Sequence, residues 1–314
     1  MKHLVLGHAR DQHAQHMMAR LGERGFQTAL VESPSFPSSL ALSIDPGRAQ
    51  GALTLEDGAS IAFDDIGSVY WRNYGGVTAE STRATRGTAA DIAYFDSMAC
   101  LRSWFQMKNG TRWFNSWDAF QSHQEKPHQL GLVARAGVRI PRTYIGNHAD
   151  DIRAFCQAVP EAIFKPVYGG SHTQRITERH LAGDHLAKAL TQAPITLQEY
   201  IEGTNVRTYA IGATCFSAEL ISDKVDFRED RDMKIVPIET PPALAADAAA
   251  IMDVLGLRWT AIDWRRTNAG EFHFLEANPS PMFIAFEQRS GYPIGDTLID
   301  HMTQPAARHS PAPE

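Results

Sequence analysis

The chain has 314 residues, 43% of them hydrophobic and 21% charged, the composition of an ordinary globular protein long enough for about two domains. Its 30 Lys and Arg against 36 Asp and Glu give a net charge of −6, which argues against a protein that coats nucleic acid by neutralising phosphates. Cys100, Cys156 and Cys215 are too far apart for a disulfide framework or zinc knuckle, so a reducing compartment is the simpler expectation.

Leu4-Val5-Leu6 reads as a buried strand, and the apolar run stops at once at Gly7-His8. A secretory signal would need about 7–15 apolar residues there, and no later stretch approaches the roughly 18 that span a bilayer. A cytoplasmic protein with no membrane partner is expected. A helix over His13 to Glu23 and a strand over Phe26 to Val31 complete a β-α-β opening, expected to be parallel and right-handed. No Gly-x-Gly-x-x-Gly follows the first strand, so a dinucleotide site there has little support. Ser33 to Pro46 reads as loop, Leu53 to Phe63 as a hairpin turning at Glu56-Asp57-Gly58, and Ser68 to Arg72 as another strand. A helix is expected over Ala89 to Met107 and a second over Ala119 to Ala136, closed by Gly137. Val138 to Ile140, Ala162 to Val167, Thr196 to Ile201, Val206 to Gly212 and Cys215 to Ile221 are strand-like, with a helix near His180 to Leu190. Ala243 to Leu255 is an Ala-rich helix, and Thr260 to Arg265 with Glu271 to Glu276 form a hairpin around Asn268-Ala269-Gly270. A last helix covers Ile294 to Met302, and the Pro-containing remainder reads as a disordered tail. The chain is therefore an α/β domain followed by α+β material.

Three clusters could carry chemistry. Asp263 ends one strand of the last hairpin, and Glu276 and Asn278 end the other. Residues two apart on a strand share a face, so all three can meet. Oxygen donors without nitrogen or sulfur suit Mg²⁺; the alternative is an ordinary hairpin end with an Asn-Pro turn. The second cluster is basic. Lys126 lies near a helix start, and Lys165 interrupts an apolar strand just before Gly169-Gly170-Ser171. An ammonium in a buried strand needs an anion, and a glycine-rich turn can cradle phosphate. An edge-strand lysine and a plain hairpin turn are the alternatives. The third cluster is Gln198-Glu199-Tyr200-Ile201-Glu202 leading to Arg207. Its backbone can bond an adenine edge, its glutamates ribose hydroxyls, and Arg207 a phosphate; the alternative is a surface hairpin. His8, His13 and His16 could bind a metal, though histidines are also common on solvated helix faces.

In this order, Lys126, Lys165-Pro166 before the Gly-rich loop, Gln198 to Arg207, Asp263 and Glu276-x-Asn278 resemble the ATP-grasp superfamily, and more narrowly the RimK-like carboxylate–amine ligases. The resemblance covers roughly residues 115 to 302. Val69-Tyr70-Trp71-Arg72, Lys126-Pro127-x-Gln129-Leu130 running to Ile140-Pro141-x-Thr143, and Asp226-Phe227-Arg228 are most similar to the graspetide (microviridin-type) synthetases.

The resemblance implies an ATP-grasp fold with a pre-ATP-grasp domain over residues 1–112, a central subdomain over 113–193, a C-terminal subdomain over 194–302, and a tail over 303–314. It implies ATP held by Lys126, Lys165, Gly169, Gly170, Ser171 and the segment Gln198 to Glu202, with two Mg²⁺ ions on Asp263, Glu276 and Asn278. Arg207 and Arg228 would meet the substrate carboxylate and the phosphoryl charge. The implied activity joins a carboxylate, activated as an acyl phosphate, to an amine or a hydroxyl on a peptide. A ligase of small free amino acids and a non-catalytic nucleotide-binding module are the competing readings, and a homodimer is the assembly kept in view.

Overall fold

The computed structural model describes residues 1–77, 87–107, 110–168, 172–224, 230 and 232–304, without the side chains of Asp184 and His185. The chain divides into two units. One is Met1–Trp117 with Met282–Ile284 and the chain from Pro293 onward; the other is Asp118–Pro281 with Ala285–Tyr292. None of the described helices is long and apolar enough to cross a membrane.

The first unit contains β1 (Lys2–Leu6), α1 (Gln12–Glu23), β2 (Thr28–Val31), β3 (Ala41–Asp45), β4 (Gln50–Thr54), β5 (Ser60–Ala62), β6 (Ile66–Trp71), α2 (Ala89–Phe105) and β7 (Arg112–Phe114). Its main sheet has the order β2-β1-β6-β7 and is wholly parallel. β6 is buried at every residue, as expected of a central strand in a parallel sheet covered on both faces. Helix α1 starts where the Asp11 side chain accepts from the His13 and Ala14 amides, supplying two of the helix's orphan donors with an acceptor. Its buried residues His13, Ala14, Met17 and Leu21 follow helical spacing. The C-terminal helix Ile294–Thr303 belongs to this unit, and its Asp296 and Asp300 bond Arg20 and Arg24 of α1. Residues 305–314 of the expected tail lie outside the described residues. The stretch read as loop over Ser33 to Pro46 contains β3, which pairs with β4 in a separate antiparallel sheet, β3-β4-β5. Only Leu42 and Ile44 of β3 are partly covered, so its hydrophobic signal is short and flanked by Ser and Pro.

The second unit carries α3 (Trp117–Gln124), α4 (Lys126–Arg135), β8 (Thr143–Gly146), α5 (Ala149–Ala158), β9 (Ala162–Pro166), β10 (Gln174–Arg175), α6 (Glu178–Leu181), α7 (Gly183–Leu190), β11 (Ile195–Glu199), β12 (Gly203–Ile211), β13 (Thr214–Ile221), β14 (Lys234–Ile238), α8 (Pro242–Val254), β15 (Trp259–Thr267), β16 (Phe272–Asn278) and α9 (Ile284–Ser290). The single helix expected over 119–136 is thus two. Pro127 sits in the first turn of α4, where proline is tolerated because no amide there needs an intrahelical partner. The helix expected near 180–190 is likewise two, α6 and α7, interrupted at Ala182. Val138 to Ile140 forms no ladder strand; the strand falls instead at β8.

Two antiparallel sheets organise this unit, β10-β9-β11-β8 and β14-β13-β12-β15-β16. One face of the larger sheet presents Val206, Ala210, Ile262, Trp264, Phe274 and Ala277, which pack with Leu244, Ala248 and Ile251 of α8 and Leu130 and Val133 of α4. Fully burying such side chains gains roughly 1.5–3 kcal/mol each before entropy is charged, so this face fixes the sheet and leaves the opposite face for chemistry.

Candidate active site

The opposite face of the larger sheet, where Phe286 packs on Tyr209, carries a transverse row of charge. Arg207 on β12 pairs across to Asp263 on β15, which pairs across to Glu276 on β16. Directly opposed residues in an antiparallel pair share a face, so these three side chains stand side by side. Arg207 Nε donates to Asp263 Oδ1 at 2.7 Å and Nη2 to Oδ2 at 2.8 Å, a two-pronged contact that fits guanidinium to carboxylate. Burial alone would lower the Arg207 pKa; the charge and hydrogen bonds of Asp263 reverse this and hold it above its ordinary value. Behind it, the wholly buried Tyr209 hydroxyl is pushed up to about 12, chiefly by burial.

A bulge sets which way Glu276 points. Asp263 opposes Glu276 while Trp264 opposes Phe274, which leaves Leu275 as an extra residue on β16. In an uninterrupted strand Phe274, Glu276 and Asn278 would share one face. The extra residue shifts the alternation, so Phe274 and Ala277 stay in the core while Glu276 and Asn278 join Asp263. Ala261 opposes Asn278, whose side-chain oxygen accepts from Ser280 N at 2.9 Å. Asp263, Glu276 and Asn278 thus form an oxygen-only donor set on one face, the chemistry that suits Mg²⁺.

Helix α4 serves the same strand twice. Gln129 pairs with the β16 edge at Ala277, accepting from its amide and donating to its carbonyl, both at 3.0 Å. This registers Lys126, whose Nζ donates to Glu276 Oε2 at 2.7 Å. His123 Nε2 lies 3.6 Å from the other Glu276 oxygen. Burial would raise the Glu276 pKa, but Lys126, His123 and Lys165 outweigh it and hold the carboxyl below its ordinary range. Burial, with Lys126, holds the His123 imidazole low against the opposing pull of Glu276.

Lys165 lies on β9 between β10 and β11, not on an edge strand. Its Nζ donates to the buried Gln198 side-chain oxygen at 3.2 Å, and Gln198 in turn donates to Thr143 Oγ1 at 3.0 Å. Lys165 is also near enough to Glu276 to help depress its pKa, which brings the two sheets' charged groups to one place. Beyond Gln198, the Glu199 amide donates to Arg142 O and the Tyr200 amide to Glu161 O, each at 2.9 Å. Tyr200, Ile201 and Glu202 link β11 to β12, and Tyr200 and Glu202 line a cavity of about 440 Å³ together with Arg175, Lys224 and Arg265.

Gly169, Gly170, Ser171 and Arg228, expected at the site, lie outside the described residues. The sequence reading missed His123, because the break before α4 hides its spacing to Lys126, and Arg265, which stands two residues beyond Asp263. The histidines of α1 are otherwise engaged: His13 Nε2 accepts from the Phe283 amide at 2.9 Å, and His16 meets the Phe283 ring edge-on. Lone-pair use by the backbone gives His13 a structural reason to be buried. Among the described residues no group of three or more His, Cys, Asp or Glu side chains is placed to hold a metal; Asp263 and Glu276 are met here by Arg207 and Lys126.

Two antiparallel sheets, one bringing Lys165 and the other an acid–amide face, give the chain the fold of solved ATP-grasp ligases. No family model matches the chain. A probable alpha-L-glutamate ligase of Picosynechococcus sp. is 27% identical over 207 residues, spanning 62% of this chain and 67% of that protein. The ATP-grasp ligase PsnB, solved with a phosphomimetic variant of its minimal precursor, Mg and ADP, matches with a TM-score of 0.81 at 27% identity, over 96% of this chain and 98% of that one. Macrocyclase MdnC from Microcystis aeruginosa MRC, bound to precursor peptide MdnA, shares the fold with a TM-score of 0.81 at 19% identity, over 97% and 100% of the two chains. The chain is similar to RimK-like ATP-grasp ligases, and its activity is that of an ATP-dependent carboxylate–amine ligase.

Proposed function

We propose that the protein uses ATP to activate a carboxylate on a peptide and joins it to an amine or hydroxyl. A carboxylate oxygen attacks the γ-phosphorus, the bond to the β-phosphate oxygen breaks, and ADP leaves an acyl phosphate behind. The amine nitrogen then attacks the acyl carbon, loses its proton and releases phosphate. The observation that carries this reading is the convergence of Lys126 and Lys165 on the row Arg207, Asp263 and Glu276.

Lys126 and Lys165 would hold phosphates, and the segment from Gln198 to Glu202 the adenosine. Gly169, Gly170 and Ser171 would close over the phosphates and exclude water from the acyl phosphate. Asp263, Glu276 and Asn278 fit Mg²⁺, which when bound neutralises charge between two anions that must meet. Lys126 and Arg207, now paired with the two carboxylates, would exchange those partners for phosphate and substrate oxygens. Arg228 would assist Arg207 at the carboxylate. A cytoplasmic setting supplies the ATP.

A peptide substrate is supported by the match of nearly the whole chain to ligases solved with precursor peptides. A second reading, ligation of small amino acids, is supported by the relatives named glutamate ligases. The test is ADP release from ATP and Mg²⁺ across a panel of acidic peptides and free amino acids. Peptide-dependent release that Glu276→Ala abolishes in a folded protein is the expected result. Release with glutamate and no peptide would replace the first reading with the second, and turnover retained in Glu276→Ala would overturn the metal assignment.

A further inference from the structure

The geometry points to Arg265 as a positioning residue that ties the nucleotide-binding linker to the strand bearing Asp263. This rests on the proposed nucleotide reading of Tyr200 and Ile201 and adds a group outside it. Arg265 stands two residues along β15 from Asp263, on the same face. Its Nε donates to the Ile201 carbonyl at 2.7 Å, and its Nη2 to the Tyr200 hydroxyl at 3.0 Å. The same guanidinium lies over the Tyr200 ring, 5.4 Å from its centroid.

A second guanidinium uses that ring. Arg175, on β10, stands 4.3 Å from the Tyr200 centroid and is itself bonded to Glu161. Glu161 also accepts the Tyr200 amide through its carbonyl. One side of the linker is thereby held to the smaller sheet by Glu161 and Arg175. Arg265 holds it to the larger sheet, on the face that carries Asp263 and Glu276. The linker is three residues long, so its place between the sheets sets the distance from the nucleoside end of the site to the metal end. Misplacement of reacting groups by about 1 Å can cost a hundredfold. The planar fork of arginine makes both bonds while stacking; a lysine ammonium reproduces neither the fork nor the stack.

The test is calorimetric titration of the full chain with the non-hydrolysable nucleotide AMPPNP and Mg²⁺, alongside melting of the protein without ligand. Arg265→Leu is expected to weaken AMPPNP binding about tenfold, and Arg265→Lys nearly as much, while Tyr200→Phe, which keeps the ring and loses one hydrogen bond, weakens it about threefold. Adding Tyr200→Phe to Arg265→Leu should then change affinity no further, because the Tyr200 hydroxyl's bond is already lost with Arg265. Unchanged affinity in Arg265→Leu, full rescue by Arg265→Lys, or strictly additive losses would each overturn the assignment. If Arg265→Leu fails to fold, Arg265→Lys and Tyr200→Phe carry the same comparison. A wild-type chain that does not bind AMPPNP would overturn the nucleotide reading and this inference with it.

Discussion

The two sheets of the second unit are built to different depths. The five-stranded sheet buries Val206, Ile262, Trp264, Phe274 and Ala277 under α4 and α8. The four-stranded sheet closes on a much smaller cluster, Ile152, Leu186, Leu190 and Leu197. The deeper sheet carries Arg207, Asp263, Glu276 and Asn278, which in the proposed function must keep fixed mutual geometry. The shallower one carries Lys165 and Gln198, which in the same proposal need only follow a nucleotide. Elements with few buried apolar contacts open at lower free energy, so the difference assigns rigidity to β12, β15 and β16 and compliance to β9 and β11.

The largest expected effect tests the deeper sheet. Trp264 is fully buried between β12 and β16, and Trp264→Ala should cost about 3–5 kcal/mol in denaturant titration. Leu197→Ala in the smaller cluster should cost about 2–3 kcal/mol and raise amide exchange mainly in β8 to β11. Equal losses, with exchange rising evenly over both sheets, would erase the distinction.

A smaller effect is expected where the linker enters the larger sheet. Gly203 opens β12 with a φ of +146°, and a Cβ there would lie 1.9 Å from the Arg266 carbonyl oxygen. Both the backbone conformation and the close approach exclude a side chain. Gly203→Ala should destabilise by roughly 2 kcal/mol, read from the shift in denaturation midpoint. It should also loosen the Tyr200–Ile201 linker, seen as faster exchange of those amides. A neutral substitution would show that the entry to β12 is slack.

How far the sequence foretold this site depends on what each residue's partner was. The hairpin of β15 and β16 was legible because Asn268-Ala269-Gly270 punctuates two alternating runs, and that hairpin aligned Asp263 with Glu276. The bulge at Leu275 was not legible, since nothing in Phe274-Leu275-Glu276 marks an extra residue, yet it puts the core phenylalanine and Glu276 on opposite faces. Lys126 was placed near a helix start, but its contact with Glu276, 150 residues away, depends on Gln129 capping the β16 edge. Arg265 looked like one more charged residue of a strand end. The role proposed for it rests on the chain crossing back at Tyr200 and Ile201, which local pattern cannot encode. β3 and the split of α3 from α4 were missed for the opposite reason: short shallow strands and a first-turn proline weaken periodicity without preventing the structure.

The smallest effect concerns charge on the deeper sheet. Glu276 has a pKa held below its ordinary value by Lys126, His123 and Lys165 against the opposing effect of burial. The folded state therefore binds a proton at Glu276 less readily than the unfolded chain does, and the ion pair stabilises the protein at neutral pH. That contribution is complete above the ordinary glutamate value and disappears as pH falls through the lowered one. The His123 imidazole, also held low, adds a loss of the same sign that begins nearer the ordinary histidine value. Glu276→Gln keeps the shape and removes the carboxylate charge. Its destabilisation relative to wild type should be present at pH 7 and shrink towards zero as the pH falls to about 3, as measured by urea titration at each pH. A difference independent of pH would mean that shape, and not the charge held by Lys126, is what Glu276 contributes to the fold, and the carboxylate would then be kept for chemistry alone.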